Sequence, residues 1–220
     1  MHREIDLLKR DALTMGGLLE QAIRNLITGL ADKDGDLLRQ IVRDDKKIDA
    51  WENALDEKII VLLARFQPAA DDLRFVLAVM QVNNEMERMA DHVKNVARMA
   101  RRLLVHEQLL GFLEDLRCAA VQVLEMVSRA LNALIDRDVE AARWVRQQDH
   151  AIDALCDESL DKLIAAMQSD SSLVPFSVQA ISASRNLERV ADRATNIAKD
   201  VLFLVEGQIV RHGGRTVEEE

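Results

Sequence analysis

The sequence predicts an all-α protein made of two tandem three-helix bundles related by internal duplication. Three observations carry this. The 220 residues include only 8 Gly, 2 Pro and no Tyr, with 3% aromatics, so helix formers dominate and strand-type enrichment is missing. Apolar residues recur with helical period over long stretches. The second half also repeats the first at matched positions.

The breaks set the elements in order. A first helix begins near residue 3 and is interrupted at Asp32-Lys33-Asp34-Gly35. A second ends at Gln67-Pro68, because proline lacks the amide donor and clashes inside a helix. Asp71 or Asp72 is expected to cap a third, running to about Val105. His106 to Gly111 is a weaker junction, and a fourth helix follows to about Ile135. Asp136-Arg137-Asp138 is the next turn, and a fifth helix runs to about Met167. Ser169-Asp170-Ser171-Ser172 is a polar loop, and Pro175 suits the start of a sixth helix ending near Glu206-Gly207. The expected organisation is a first repeat at 1–106, a second at 107–207 and a flexible tail at 208–220.

The duplication rests on identities. Residues 87–97 read ERMADHVKNVA and residues 188–198 read ERVADRATNIA, an offset of 101 with six of eleven positions identical. Phe75 and Phe176 match at the same offset. Residues 45–49 (DKKID) match 149–153 (DHAID) at an offset of 104, and a difference in loop length explains the change.

Helical register separates core from display. Phe75, Val79, Val82, Met86, Met89, Val93, Val96, Ala100 and Leu103 share one stripe. Their counterparts are Phe176, Ala180, Ala183, Leu187, Val190, Ala194, Ile197, Val201 and Leu204. Glu87, Asp91 and Asn95 are expected on roughly the opposite side, as are Glu188, Asp192 and Asn196. Residues four apart stack along a face. Asp45 and Asp49 flank the stripe of the second helix, and Asp149 and Asp153 that of the fifth. Like charges at this spacing oppose helix stability by roughly 0.2–0.5 kcal/mol. Their repetition at matched positions leaves two readings open: hard oxygen ligands for Mg²⁺, Ca²⁺, Mn²⁺ or iron, or a solvated charged face.

Composition excludes several classes. A net charge of −9 and a pI near 5.1 argue against nucleic-acid binding. The longest purely apolar runs, such as Val201–Val205, are too short to span a bilayer, and no secretory pattern opens the chain. Two cysteines, Cys118 and Cys156, exclude a disulfide scaffold and fit a reducing cytosol. A ferritin-like di-iron site needs Glu-x-x-His, and no histidine lies three residues after a glutamate. P-loop, HExxH, GxGxxG and GxSxG motifs are missing too. His92 lies within the first ladder as a candidate auxiliary ligand, but its counterpart is Arg193.

Ala64-Arg65-Phe66-Gln67-Pro68-Ala69-Ala70-Asp71-Asp72-Leu73-Arg74 resembles the helix-two-to-three junction of the phosphate uptake regulator family, PhoU. Glu87-Arg88-x-x-Asp91 and Glu188-Arg189-x-x-Asp192-x-Ala194-Thr195-Asn196 look like its two signature motifs. Met15-Gly16, Asp45-x-x-Ile48-Asp49, Val205-Glu206-Gly207 and Val210-Arg211-His212 also fall in its expected places. The resemblance covers about residues 3–212. It implies a cytoplasmic regulatory adaptor rather than an enzyme. Its partners would be the phosphate ABC transporter, through the ATPase subunit, and a sensor histidine kinase; it would restrain phosphate uptake and the phosphate-starvation regulon. A homodimer is implied, and metal ions or clusters (Mg, Mn, Fe or Zn) on the acidic faces. Carried over, the ligand positions are Asp45, Asp49, Glu87 and Asp91, and then Asp149, Asp153, Glu188 and Asp192. Three departures stand out: Ala90 and Ala191 where glycine is frequent, Arg193 where histidine is common, and Cys156 opposite Glu52. The alternatives are a carboxylate-rich metal store or metalloenzyme, and a generic helical scaffold.

Overall fold

The computed structural model describes residues 1–206, all of them in helices or the short connections between them. The expected tail, and the Gly207 and Val210-Arg211-His212 part of the resemblance, lie outside the described residues. Six helices follow in order: α1 (His2–Ala31), α2 (Gly35–Phe66), α3 (Ala70–Leu103), α4 (Leu110–Asp136), α5 (Val139–Ser169) and α6 (Val174–Glu206). Single 3₁₀ turns at Glu107–Leu109 and Ser171–Leu173 lead into α4 and α6.

Local chemistry explains most of these boundaries. The Asp34 carboxylate accepts from the Asp36 and Leu37 amides at 2.9 and 3.0 Å, satisfying donors at the start of α2. Asp138 does the same for α5, accepting from the Ala141 amide at 3.0 Å. The third helix departs from expectation. Its N-cap is Ala69, with no side-chain cap, and Asp71 and Asp72 lie inside the first turn. The cause is the turn before it: Gln67 closes α2 at φ 44° and Ala70 enters α3 at φ 48°. Two left-handed residues around Pro68 turn the chain so sharply that α3 starts ahead of either aspartate. Both acids still face the positive end of the helix dipole.

The predicted stripes form the core. Every stripe position of α3 is buried, and so is every one of α6 except Phe176. Phe176 is half-buried and stacks on His106 of the α3–α4 connection, with ring centroids 3.6 Å apart. α4 is long and apolar enough to cross a membrane by length and composition. Here it spends that apolarity inside the protein, burying Phe112, Leu116, Val123, Val127 and Leu134 among others.

Helices α1, α2 and α3 pack on one another, as do α4, α5 and α6. The bundles then join side by side, with α3 against α6 as the most extensive contact and α1 against α4 beside it. Close approach needs small residues. A Cβ on Gly16 of α1 would lie 2.8 Å from Leu131 Cδ1 of α4. α2 and α5 are left on the outside.

Polar contacts repeat with the fold. Lys58 pairs with Asp11 at 2.6 Å, and their equivalents Lys162 and Asp115 pair at 2.9 Å. Across the seam, His92 Nδ1 lies 3.0 Å from Asn186 Oδ1, and Arg193 pairs with Glu85 at 3.1 Å. Since 193 is equivalent to 92, and 186 to 85, these are one contact made twice with roles exchanged. Position 92 beside 186, and 85 beside 193, also means that α3 and α6 run antiparallel. An internal two-fold therefore relates the repeats, as in an isologous dimer.

Removing the α2 cap with Asp34→Ala is expected to lower stability by about 0.5–2 kcal/mol, whereas Asp71→Ala costs less. Chemical denaturation of both variants measures this. An equal loss for the two would put the α3 cap back on Asp71.

Candidate functional site: two acidic grooves

The eight predicted acids gather into two sets, one at each outer helix pair. In the first repeat, Asp45 and Asp49 of α2 meet Glu87 and Asp91 of α3. Asp45 is buried, and Asp49, Glu87 and Asp91 are half-buried. The ladder acids of α3, expected on roughly the opposite side from its core stripe, are therefore not on a wholly solvated face. They border the neighbouring helix, because α2 lies against the side of α3 that carries them.

The groups feel one another. Burial pushes the Glu87 carboxyl upward, and Asp91, Glu52 and Asp49 add to the shift. Glu52 is raised by burial and then by Asp56, Asp49 and Asp91, so it belongs to the same set. The Asn83 side chain, fully buried on α3, donates to the Glu52 carbonyl at 3.0 Å and to Asp56 Oδ1 at 2.8 Å. It fixes α2 against α3 just below the acids.

One cation sits among them. Lys94 Nζ lies 2.6 Å from Asp45 Oδ2 and also donates to Asp91 Oδ1. Its side chain is only 20% exposed, so the ammonium bridges α2 and α3 inside the groove. Desolvation opposes the charge on Lys94, but Asp45 and Asp91 outweigh it and hold the amine above its ordinary value. Burial pushes Asp45 upward against the pull of Lys94, with repulsion from Asp49 and Asp91 added. At neutral pH the contact is an ion pair.

In the second repeat, Asp149 and Asp153 of α5 meet Glu188 and Asp192 of α6. The Asp153 carboxyl is raised by burial, then by Asp149 and Glu188. Asp192 is exposed, yet it too is raised, by desolvation first and then by Asp149, Glu188 and Asp153. The counterpart of Lys94 is Thr195, whose hydroxyl donates to Asp149 Oδ1 at 3.0 Å. Among the described residues, no ammonium bridges α5 and α6 there. Arg185 pairs with Glu188 at 2.9 Å along α6, Arg193 pulls Asp192 downward against its neighbours, and the His150 ring lies 4.0 Å from Asp153 along α5. Cys156, opposite Glu52 in the repeat, is buried and donates weakly to the Ser184 carbonyl at 3.8 Å. Burial pushes its thiol upward, which fits an inert packing residue.

The two grooves therefore differ in fitness for a metal ion. The first has its bridging position filled by an ammonium and does not fit one. The second offers hard carboxylate oxygens with no bridging cation, and its chemistry suits one. Among the described residues, however, no three His, Cys, Asp or Glu side chains stand together as a group that could hold a metal ion, in either groove. His92 engages Asn186 across the seam rather than an acid. Lys94 escaped the sequence reading. Its signals were a position three after Asp91, on the same face, and its alignment with Thr195.

Comparison with known proteins follows this geometry. A family profile described as the PhoU domain matches residues 12–100 and again 116–201, one match per repeat. The phosphate-specific transport system accessory protein PhoU homolog of Pseudomonas aeruginosa is 36% identical over 214 residues, covering 97% of this chain and 88% of that protein. The accessory protein PhoU of Edwardsiella tarda is 33% identical, over 98% of this chain and 89% of that protein. Among solved structures, PhoU from P. aeruginosa superposes with a TM-score of 0.89 at 33% identity, over 94% of this chain and 99% of that one. The phosphate transport system regulatory protein PhoU from Streptococcus pneumoniae gives 0.85 at 27% identity, over 96% and 99%.

The raised acids of the second groove set a pH dependence. A carboxyl whose pKa is higher in the fold than in the unfolded chain stabilises the fold below its unfolded pKa. That contribution is lost as pH rises through the folded value. In chelator, Asp192→Asn is expected to raise the Tm at pH 7 by about 1 °C, the scale of one like-charge contact. The gain should shrink as pH falls into the carboxylate range. A gain that stays constant down to pH 4 means that Asp149, Asp153 and Glu188 do not repel Asp192.

Proposed function

This chain belongs to the PhoU family, and from that premise we propose that it is a regulatory accessory protein of phosphate transport. When phosphate is plentiful it restrains uptake and keeps the phosphate-starvation regulon off. It acts in the cytoplasm, without catalysis of its own, by binding the ATPase subunit of the phosphate ABC transporter and a sensor histidine kinase. The observation that carries this is the doubled family match, one per repeat, over a chain aligned nearly end to end with accessory proteins of that transport system.

Surface features support an adaptor. Each repeat exposes an equivalent apolar pair on the arms of its last hairpin: Ile60 and Leu77 in the first, Ile164 and Val178 in the second. Arg88 and Arg189 are exposed beside the acids of α3 and α6. Apolar anchors within a charged rim are the composition of partner surfaces. A regulator must also bind two partner states unequally, and charged grooves supply such discrimination. We assign the family's dimer to this chain as well, and a divalent or transition metal ion to the carboxylates of the second groove. When bound, the ion would offset part of the charge of a face that otherwise repels acidic partners. Asp149, Asp153, Glu188 and Asp192 would hold it.

Deleting the gene is expected to derepress phosphate-uptake genes in phosphate-replete medium, read with a transcriptional reporter. Normal repression in the deletion strain would falsify the regulatory role. Complementation separates the site from the scaffold: wild type restores repression, and a folded E188Q/D192N variant restores it only partly. Protein purified without chelators is expected to carry about one metal ion per chain by elemental analysis, and metal-free protein after incubation with millimolar Mg²⁺ and Mn²⁺ would remove the metal assignment.

A further inference from the structure

We propose that α5 is a releasable strap of the second repeat: it opens from α4 and α6 while α2, its equivalent in the first repeat, stays closed. The two helices correspond at an offset of 104. The faces they bury are unequal. Leu38, Ile41, Leu55 and Leu62 of α2 are all buried. Their counterparts on α5 are Ala142, Val145, Ser159 and Ala166, each smaller, and Ala166 is only half-buried. Ile48 and Ile59 keep their size as Ile152 and Leu163. An outer helix is held down by the apolar area it removes from water. Closer approach of small side chains recovers dispersion contacts but not that area.

The polar ties are unequal in the same direction. In the first repeat the Lys94 ammonium bonds Asp45 of α2 and Asp91 of α3. Asn83 of α3 adds bonds to the Glu52 carbonyl at 3.0 Å and to Asp56 at 2.8 Å. At the equivalent places, Thr195 donates to Asp149 at 3.0 Å, Ser184 stands for Asn83 and Leu160 for Asp56. Cys156 reaches the Ser184 carbonyl as a weak donor at 3.8 Å. Two further ties leave α5: Arg143 pairs with Glu206 of α6 at 2.8 Å, and Arg129 of α4 lies 3.9 Å from the Trp144 ring centre. Both arginines are about half exposed, so water competes for both contacts. Local opening is drawn from elements with little buried apolar side chain and water-exposed ties, and α5 is that element here. A regulator needs a second conformation that a partner can favour, and an opened α5 supplies one. That use rests on the regulatory reading above, whereas the opening itself does not.

The test is amide hydrogen exchange on the full chain in chelator. Loss of a leucine-sized contact shifts an opening equilibrium by roughly tenfold or more, so amides in the middle of α5 are expected to exchange faster than their α2 counterparts by that factor. Those of α4 and α6 should stay protected. In C118S, the buried Cys156 is a native reporter, which a thiol reagent should label faster than the whole chain unfolds. T195K, which copies the Lys94 bridge, should slow both α5 exchange and Cys156 labelling and leave α2 unchanged. Equal protection of α2 and α5 overturns the proposal. Simultaneous loss of protection in α4, α5 and α6 does so too, because the repeat then opens as a unit. Labelling of Cys156 only at the global unfolding rate also overturns it, and neither of these arms depends on T195K folding. An unslowed α5 in a folded T195K overturns the part given to the polar ties. All these readouts use purified protein, so their failure leaves the regulatory reading standing.

Discussion

The antiparallel seam between α3 and α6 is the constraint on which the rest of the molecule depends. Each of these helices packs against its own bundle and against the other repeat. Ala90, Ala97 and Ala100 on α3, with Ala183, Ala191, Ala194 and Ala198 on α6, are all buried. Small side chains let two helices of about 33 residues approach along much of their length, so dispersion contacts accumulate. The seam admits few registers. His92 with Asn186, and Glu85 with Arg193, are the same contact on either side of an internal two-fold, and a slip of one turn would break both. Once that register is set, α1 must meet α4, and α2 and α5 are forced outside. Glu87 and Asp91 then straddle the crossing point, and so do Glu188 and Asp192. The motif acids thus sit near the crossing of the two helices that share the most extensive contact in the fold.

That placement creates an electrostatic problem with two solutions. Four or more carboxylates in one groove, partly shielded from water, raise one another's pKa and oppose folding at neutral pH. In the first repeat the chain supplies the compensating charge from within. In the second, compensation comes from the rim, where Arg185 is half-exposed and so weakly bound. Helix stability alone does not favour either acidic ladder. The ladders persist because the seam and the outer helices contribute far more than a few tenths of a kcal/mol per repulsive contact.

Much of this was legible in the sequence, for reasons that can be named. The core stripes were visible because burial follows the 3.6 period, and seventeen of the eighteen stripe positions are buried. The breaks at Asp32-Lys33-Asp34-Gly35 and Asp136-Arg137-Asp138 were visible because polar turn residues interrupt the apolar period, although the caps that Asp34 and Asp138 supply there were not. The duplication was visible because six of eleven motif positions are identical. What stayed hidden is non-local. The start of α3 depends on the left-handed backbone at Gln67 and Ala70, which no propensity favours. Phe176 is only half-buried, and part of its cover is His106, from a different part of the chain. The exposure of the acidic ladders was misjudged because a helical wheel shows the face opposite the core but not the neighbour lying along it. The role of Lys94 needed the rotation of α2 relative to α3, which sequence spacing does not contain.

Duplication followed by divergence gives a regulator something that exact symmetry cannot. Two identical grooves would take the same partner or ion with the same affinity, and the molecule would respond only in degree. Here His92 and Arg193, Glu52 and Cys156, and Lys94 and Thr195 break the equivalence, while the packing that carries them is unchanged. The substitutions lie in the grooves and at the seam, where they alter charge without emptying the core. A ligand can shift a conformational or binding equilibrium only through its differential affinity for two states. In a rigid helical scaffold, the cheapest source of such a difference is the charge of one face. A groove whose acids are bridged by its own lysine, beside one where the equivalent position is a neutral hydroxyl, gives a partner that spans the seam two unequal faces.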